Sequence, residues 1–136
     1  MPDIGMVEKQ FQVCPESPNC ASSMANLKDK THYIEPIRYT GSREKAMNKL
    51  RNALNTFDRQ KLIKADLAYW HYEFRTAILR FRDNVEFYFP ERQKVIHMRS
   101  ASEMGYSDMG ANRKRLESIR EAFHQAPDTD PEAADL

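Results

Sequence analysis

The chain has 136 residues, 40% of them hydrophobic and 30% charged, with a net charge of +1. That is the composition of one soluble globular domain with a modest core. No run of about 18 apolar residues occurs, which argues against a transmembrane helix. The ten residues from Pro127 hold Asp128, Asp130, Glu132 and Asp135 and no base, so without them the charge rises to +5. Such a body is too weakly basic for a dedicated duplex nucleic-acid binder, while a small anionic ligand fits it.

Residues 1–13 read as an irregular leader. They lack the basic start and apolar stretch of a signal peptide, so the chain reads as cytoplasmic as written. The cell envelope or periplasm is the alternative if a leader has been removed. Cys14-Pro-Glu-Ser-Pro-Asn-Cys20 follows, and its two prolines make a stiff loop and disfavour a paired strand. Cys14 and Cys20 are the only cysteines. Three states stay open for them: packed free thiols, a disulfide, or a metal or redox site needing ligands from elsewhere.

Tyr33–Tyr39 is predicted as a first strand, bent or at an edge because of Pro36. Ser42 is a natural N-cap. Ala46, Met47, Leu50, Ala53, Leu54 and Phe57 then recur at helical spacing, which leaves Lys45, Lys49, Arg51 and Asn52 on a solvated basic side. Leu62–Ala65 reads as a short strand. Ala68–Arg75 alternates, with Ala68, Trp70, Tyr72 and Phe74 on one face. Thr76–Phe81 is ambiguous. Asn84–Phe89 alternates again, Pro90–Lys94 turns, and Val95–Ala101 returns.

The register of that last hairpin follows from its apolar faces. Ile96, Met98 and Ser100 belong opposite Phe89, Phe87 and Val85, because a slip of one residue drives His97 and Arg99 into the core. Tyr88 then faces His97, and Glu86 faces Arg99 as a surface ion pair. After the loop at Gly105, Asp108 or Ser107 is expected to cap a second helix. Leu116, Ile119 and Phe123 mark its buried face, Asn112 falls on the same face, and Arg113 can pair with Glu117. The helix is expected to end near Gln125. A single α+β domain over 14–125 results, with a mostly antiparallel sheet of about four to five strands covered on one face by two helices, followed by a disordered acidic tail at 126–136. The opposite face is expected to be open and to carry His71, Glu73, Glu86, Tyr88, His97 and Arg99.

Three segments carry a resemblance: Cys14-Pro-Glu-Ser-Pro-Asn-Cys20 with Ser22-Ser23; Arg82-Asp-Asn-Val-Glu-Phe87; and Ile96–Ser102 with Gly105–Gly110 and Asn112–Arg115. Together they resemble a bacterial and plastid family known as domain of unknown function family 1499, over about residues 14–124. The resemblance implies no established activity. It also implies a leader, lipid anchor or membrane helices before the Cys-Pro segment, a pattern from which this short polar leader departs.

The candidate site is the strand–loop–helix segment 99–115. Arg99, Arg113 and Arg115 offer guanidinium groups, Ser100, Ser102, Tyr106 and Ser107 offer hydroxyls, Asp108 offers a cap, and Asn112 orients the turn. Backbone N–H groups at a helix start favour an anion, and arginine suits a carboxylate or phosphate. The same residues also suit a polar network that satisfies itself and fixes the connection. A serine nucleophile elbow is absent, and His97 and Ser100 have opposite strand parity, which argues against a catalytic pair. No metal or cofactor motif occurs. These readings favour a non-enzymatic accessory or binding domain. The alternatives are a small enzyme acting on an anionic metabolite at the same site, or a protein–protein adaptor using Tyr69, His71, Glu73 and Tyr88 on the open sheet face.

Overall fold

A computed structural model of the chain describes residues 4–78, 80–103 and 110–127. Its main sheet has six strands: β3 (Cys20–Ser22), β4 (Ile37–Arg38), β5 (Gln60–Ala65), β6 (Tyr69–Arg75), β7 (Arg82–Tyr88) and β8 (Val95–Ser102). β5, β6, β7 and β8 form an antiparallel meander. The free side of β8 is shared by two short antiparallel partners, β3 along its C-terminal half and β4 along its N-terminal half. β1 (Met6–Val7) and β2 (Gln10–Phe11) form a separate two-stranded hairpin. The strand count therefore exceeds the expected four to five. The additions are the pieces too short or too proline-flanked to show a period: β3 follows the Pro15/Pro18 loop directly, and residues 6–11 are paired where an irregular leader was expected.

Helix α1 (Arg43–Leu54) starts where its cap predicts, with Ser42 Oγ accepting the Lys45 N–H at 3.1 Å. Helix α2 (Ala111–Gln125) starts with Gly110 at the N-cap and no side-chain cap. This corrects the expected cap at Asp108 or Ser107, both of which lie outside the described residues, as does Tyr106. Both helices pack on one sheet face. The core there joins Leu50, Ala53 and Leu54 of α1 and Leu116, Ile119 and Phe123 of α2 to Trp70, Tyr72, Phe74, Val85, Phe87, Ile96 and Met98. The alternation of β6, β7 and β8 thus sorts correctly onto this face. The hairpin register is as expected, with Val85 opposite Ser100, Phe87 opposite Met98, Glu86 opposite Arg99 and Tyr88 opposite His97.

The opposite face is covered over much of its area where an open one was expected, although Glu73, Tyr88 and His97 stay half-buried. Tyr69, His71, Glu86 and Arg99 on it are all buried. The N-terminal segment reaches across, and the Gly5 N–H donates to Glu86 Oε2 at 2.8 Å. Tyr69 and His71 therefore do not offer an open adaptor surface, and the Glu86–Arg99 pair is interior and not a surface pair. Cys14 and Cys20 form a disulfide, so neither is a free thiol. His32 buttresses the loop they close. Its Nε2–H donates to the Ser17 carbonyl at 2.8 Å, and its Nδ1–H to Asp29 Oδ2 at 2.7 Å.

Candidate functional site

The strand–loop–helix segment is held together by Asn112, which is buried on the core face of α2 as its spacing predicts. Its Nδ2 donates to the Asn19 carbonyl at 3.0 Å and to Ser102 Oγ at 2.9 Å, and its Oδ1 accepts from Ser100 Oγ and from Arg115 Nη1. One amide thereby ties β8, the end of the Cys14–Cys20 loop and the start of α2 together. A buried amide needs such partners, because each unsatisfied group is costly.

The arginines of this segment already have protein partners. Arg115 Nη1 lies 2.6 Å from Asp83 Oδ2, and its guanidinium stacks over the Phe74 ring at 5.4 Å. Arg113 donates to the carbonyls of Lys30 and Thr31. The expected Arg113–Glu117 pair is not made, because Glu117 turns to Arg120, one turn further along α2. Arg99 has the opposite strand parity to Ser100 and sits on the other side of the sheet with Glu86, at 3.1 Å. The structure therefore brings Ser100, Ser102, Asn112 and Arg115 together and leaves Arg99 and Arg113 apart from them. Asp83 joins the cluster without having been foreseen. Its signal was present in the sequence, since it shares the inward parity of Val85 and Phe87. One of its oxygens, Oδ1, is buried without a hydrogen-bond partner among the described residues.

The far side of the sheet carries a second buried polar cluster. Glu86 accepts from Arg99 Nη1, from the Gly5 N–H and from the Tyr69 hydroxyl, the last at 2.6 Å. Burial, reinforced by the bond to Glu86, pushes the Tyr69 phenol far up, so it stays a donor. Three donors hold this carboxylate as a structural node, while Arg99 Nε is buried without a hydrogen-bond partner among the described residues.

A third arrangement is different in kind. Between β4, α1 and the end of α2 lies a cavity of about 310 Å³ lined by Arg38, Tyr39, Thr40, Lys45, Ala46, Lys49, Phe123 and His124. Lys45 and Lys49 are one helical turn apart, so both project to the same side of α1. Arg38 ends β4, and His124 lies in the last turn of α2. No carboxylate lines the cavity, and none of its four basic side chains has an ion pair among the described residues. The Lys49 ammonium lies 5.1 Å from the Phe123 ring centre, which gives the floor an aromatic surface. Burial raises the pKa of Tyr39, an effect that Arg43 opposes and Glu44 reinforces, so its hydroxyl stays a donor. Sequence reading recognised the basic side of α1 but had no way to bring Arg38 and His124 to it, because they approach through tertiary packing alone.

A family model described as a protein of unknown function (DUF1499) matches residues 10–123. The chain belongs to this family. The match runs from β2 to the last turns of α2 and so takes in the Asn112 cluster, the side chains of the Glu86 cluster and nearly all of the basic cavity, while Gly5 lies outside it. No curated protein and no solved structure matches the chain. Among the described residues no helix is long and apolar enough to cross a membrane, and no group of three or more potential metal ligands occurs.

Proposed function

We propose that the protein is a non-enzymatic binding domain that takes a small anionic ligand in the cavity between β4, α1 and α2. The observation that carries this reading is the convergence of Arg38, Lys45, Lys49 and His124 on a concave site with no acidic lining among the described residues. Arg38, Lys45 and Lys49 put like charges on one concave surface, which an anion neutralises, and arginine with lysine suits a phosphate or carboxylate. Segment 99–115, the first candidate from sequence, becomes the frame: its Asn112 and Arg115 are consumed in fixing α2, whose far end supplies Phe123 and His124.

The Cys14–Cys20 disulfide supports an oxidising compartment, such as the cell envelope, over a cytoplasmic one. The test of the ligand site is thermal unfolding of the wild type and of Lys45→Ala/Lys49→Ala against phosphate monoesters and dicarboxylates. A ligand present at a hundred times its Kd stabilises the folded state by about 2.7 kcal/mol. The expected result is a raised Tm for the wild type and none for the variant. An equal rise in both, or no rise with any anion, overturns the reading.

A further inference from the structure

The second concavity lies on the opposite side of the sheet, at the margin of the N-terminal hairpin. Its volume is about 770 Å³, and Lys9, Met24, Tyr88, Pro90, Arg92 and His97 are among its lining residues. That volume is in the range of small-molecule sites. Three features of these residues point the same way.

The first is backbone conformation. The turn joining β1 and β2 is two residues long, and both residues have positive φ, 52° at Glu8 and 64° at Lys9. This is the signature of a type I′ turn, which Asn-Gly fills without strain. A glutamate and a lysine there hold the backbone in a disfavoured region, and such strain gathers at binding sites. Here it sets a lysine at the edge of the cavity.

The second is the state of His97. Its Nδ1 lies 2.8 Å from Ser23 Oγ, and that oxygen already accepts the Met98 N–H at 2.9 Å. In the tautomer where Ser23 Oγ gives its own proton to Nδ1, the ring proton sits on Nε2, the nitrogen without a partner among the described residues. Burial lowers the pKa of His97, so the ring is a neutral donor at pH 7. The third feature is charge. Lys9 and Arg92 face one carboxylate, Glu91, leaving an excess of one positive charge beside the apolar surfaces of Met24 and Pro90.

We infer that this cleft binds a monocarboxylate carried on an apolar body, with Lys9, Arg92 and the His97 Nε2–H holding the carboxylate while Met24, Pro90 and the Tyr88 ring take the apolar part. The site is separate from the basic cavity and asks for the opposite balance of ligand: one charge and much hydrocarbon, against much charge and little hydrocarbon.

The test is calorimetric titration of the full chain with decanoate, with decanol and inorganic phosphate as controls. Replacing the turn by Glu8→Asn/Lys9→Gly relieves the strain and removes the lysine. That variant is expected to melt at a higher temperature than the wild type and to bind decanoate about tenfold more weakly, the scale of one lost hydrogen bond to a charged group. Arg92→Ala, at an exposed position, is expected to weaken binding to a similar degree, and Lys45→Ala/Lys49→Ala to leave it unchanged. The inference is overturned if the wild type does not bind decanoate, if decanol binds as tightly, or if neither the turn variant nor Arg92→Ala weakens binding.

Discussion

The two faces of the sheet are both covered around Glu86 and Phe87, by opposite chemistry. The helix side is closed with hydrocarbon from Trp70, Phe87, Ile96, Met98 and their neighbours, and the far side with a carboxylate, a guanidinium and a phenol. Hydrocarbon contacts are non-directional and degrade gradually when trimmed. The Glu86 node is directional and fails as a unit, because removing one member strands another in a place water does not reach. Glu86 and Arg99 are 0% and 2% exposed, so burial alone does not distinguish the two faces. What distinguishes them is whether each buried group depends on one particular partner.

The largest effect that tests this contrast is expected from Glu86→Ala. It leaves the Arg99 charge buried and unpaired, at a cost of about 3–5 kcal/mol. Replacing both members, Glu86→Leu with Arg99→Met, is expected to recover most of that loss, since apolar substitutes for a buried pair are often neutral or stabilising. Urea denaturation midpoints of the two variants decide the matter, and a double variant as unstable as the single would mean that the pair itself contributes net stability. A smaller effect, about 1–3 kcal/mol, is expected from Asn112→Ala, which places a directional failure inside the hydrocarbon face by leaving Asn19, Ser100 and Ser102 short of a partner. A midpoint within experimental error of the wild type would show that water replaces the amide.

The smallest effect concerns His32. Burial works against its charge, yet the Ser17 carbonyl and the Asp29 carboxylate outweigh that, and its pKa is raised above 6.5. Because the folded-state value is the higher one, the protonated ring contributes stability in full below about pH 6.5, and this is lost as the pH rises through the folded-state pKa. From about pH 5 to pH 9 the denaturation midpoint of the wild type should therefore decline relative to that of His32→Gln, the opposite contribution of His97, whose pKa is lowered, being common to both. An unchanged slope would assign the decline to other groups.

Much of the helix-covered face was legible, because Trp70, Tyr72, Phe74, Val85 and Phe87 keep a period of two and Ala46, Leu50, Ala53 and Leu54 a helical one. The hairpin register was legible for the same reason, although Arg99, expected to face solvent, is buried. The polar sealing of the far face was not legible. Alternation says which residues point away from the helices and not whether another segment covers them, and Gly5 carries no side chain to announce that it does. Within segment 99–115, the spacing of Asn112 and Leu116 exposed the anchoring role of Asn112. The partners of Arg113 and Arg115 lie in Lys30, Thr31 and Asp83, far away in sequence, and only packing selects them.

The bond from Gly5 to Glu86 spans 81 residues. During synthesis, Gly5 leaves the ribosome first and its acceptor follows roughly 4 to 16 s later, at about 5–20 residues per second. Through that interval the covering segment waits for the strands it will cover, and Arg99, later still, has yet to arrive. The segment made first is therefore among the last to find its place, and the order of assembly runs against the order of translation.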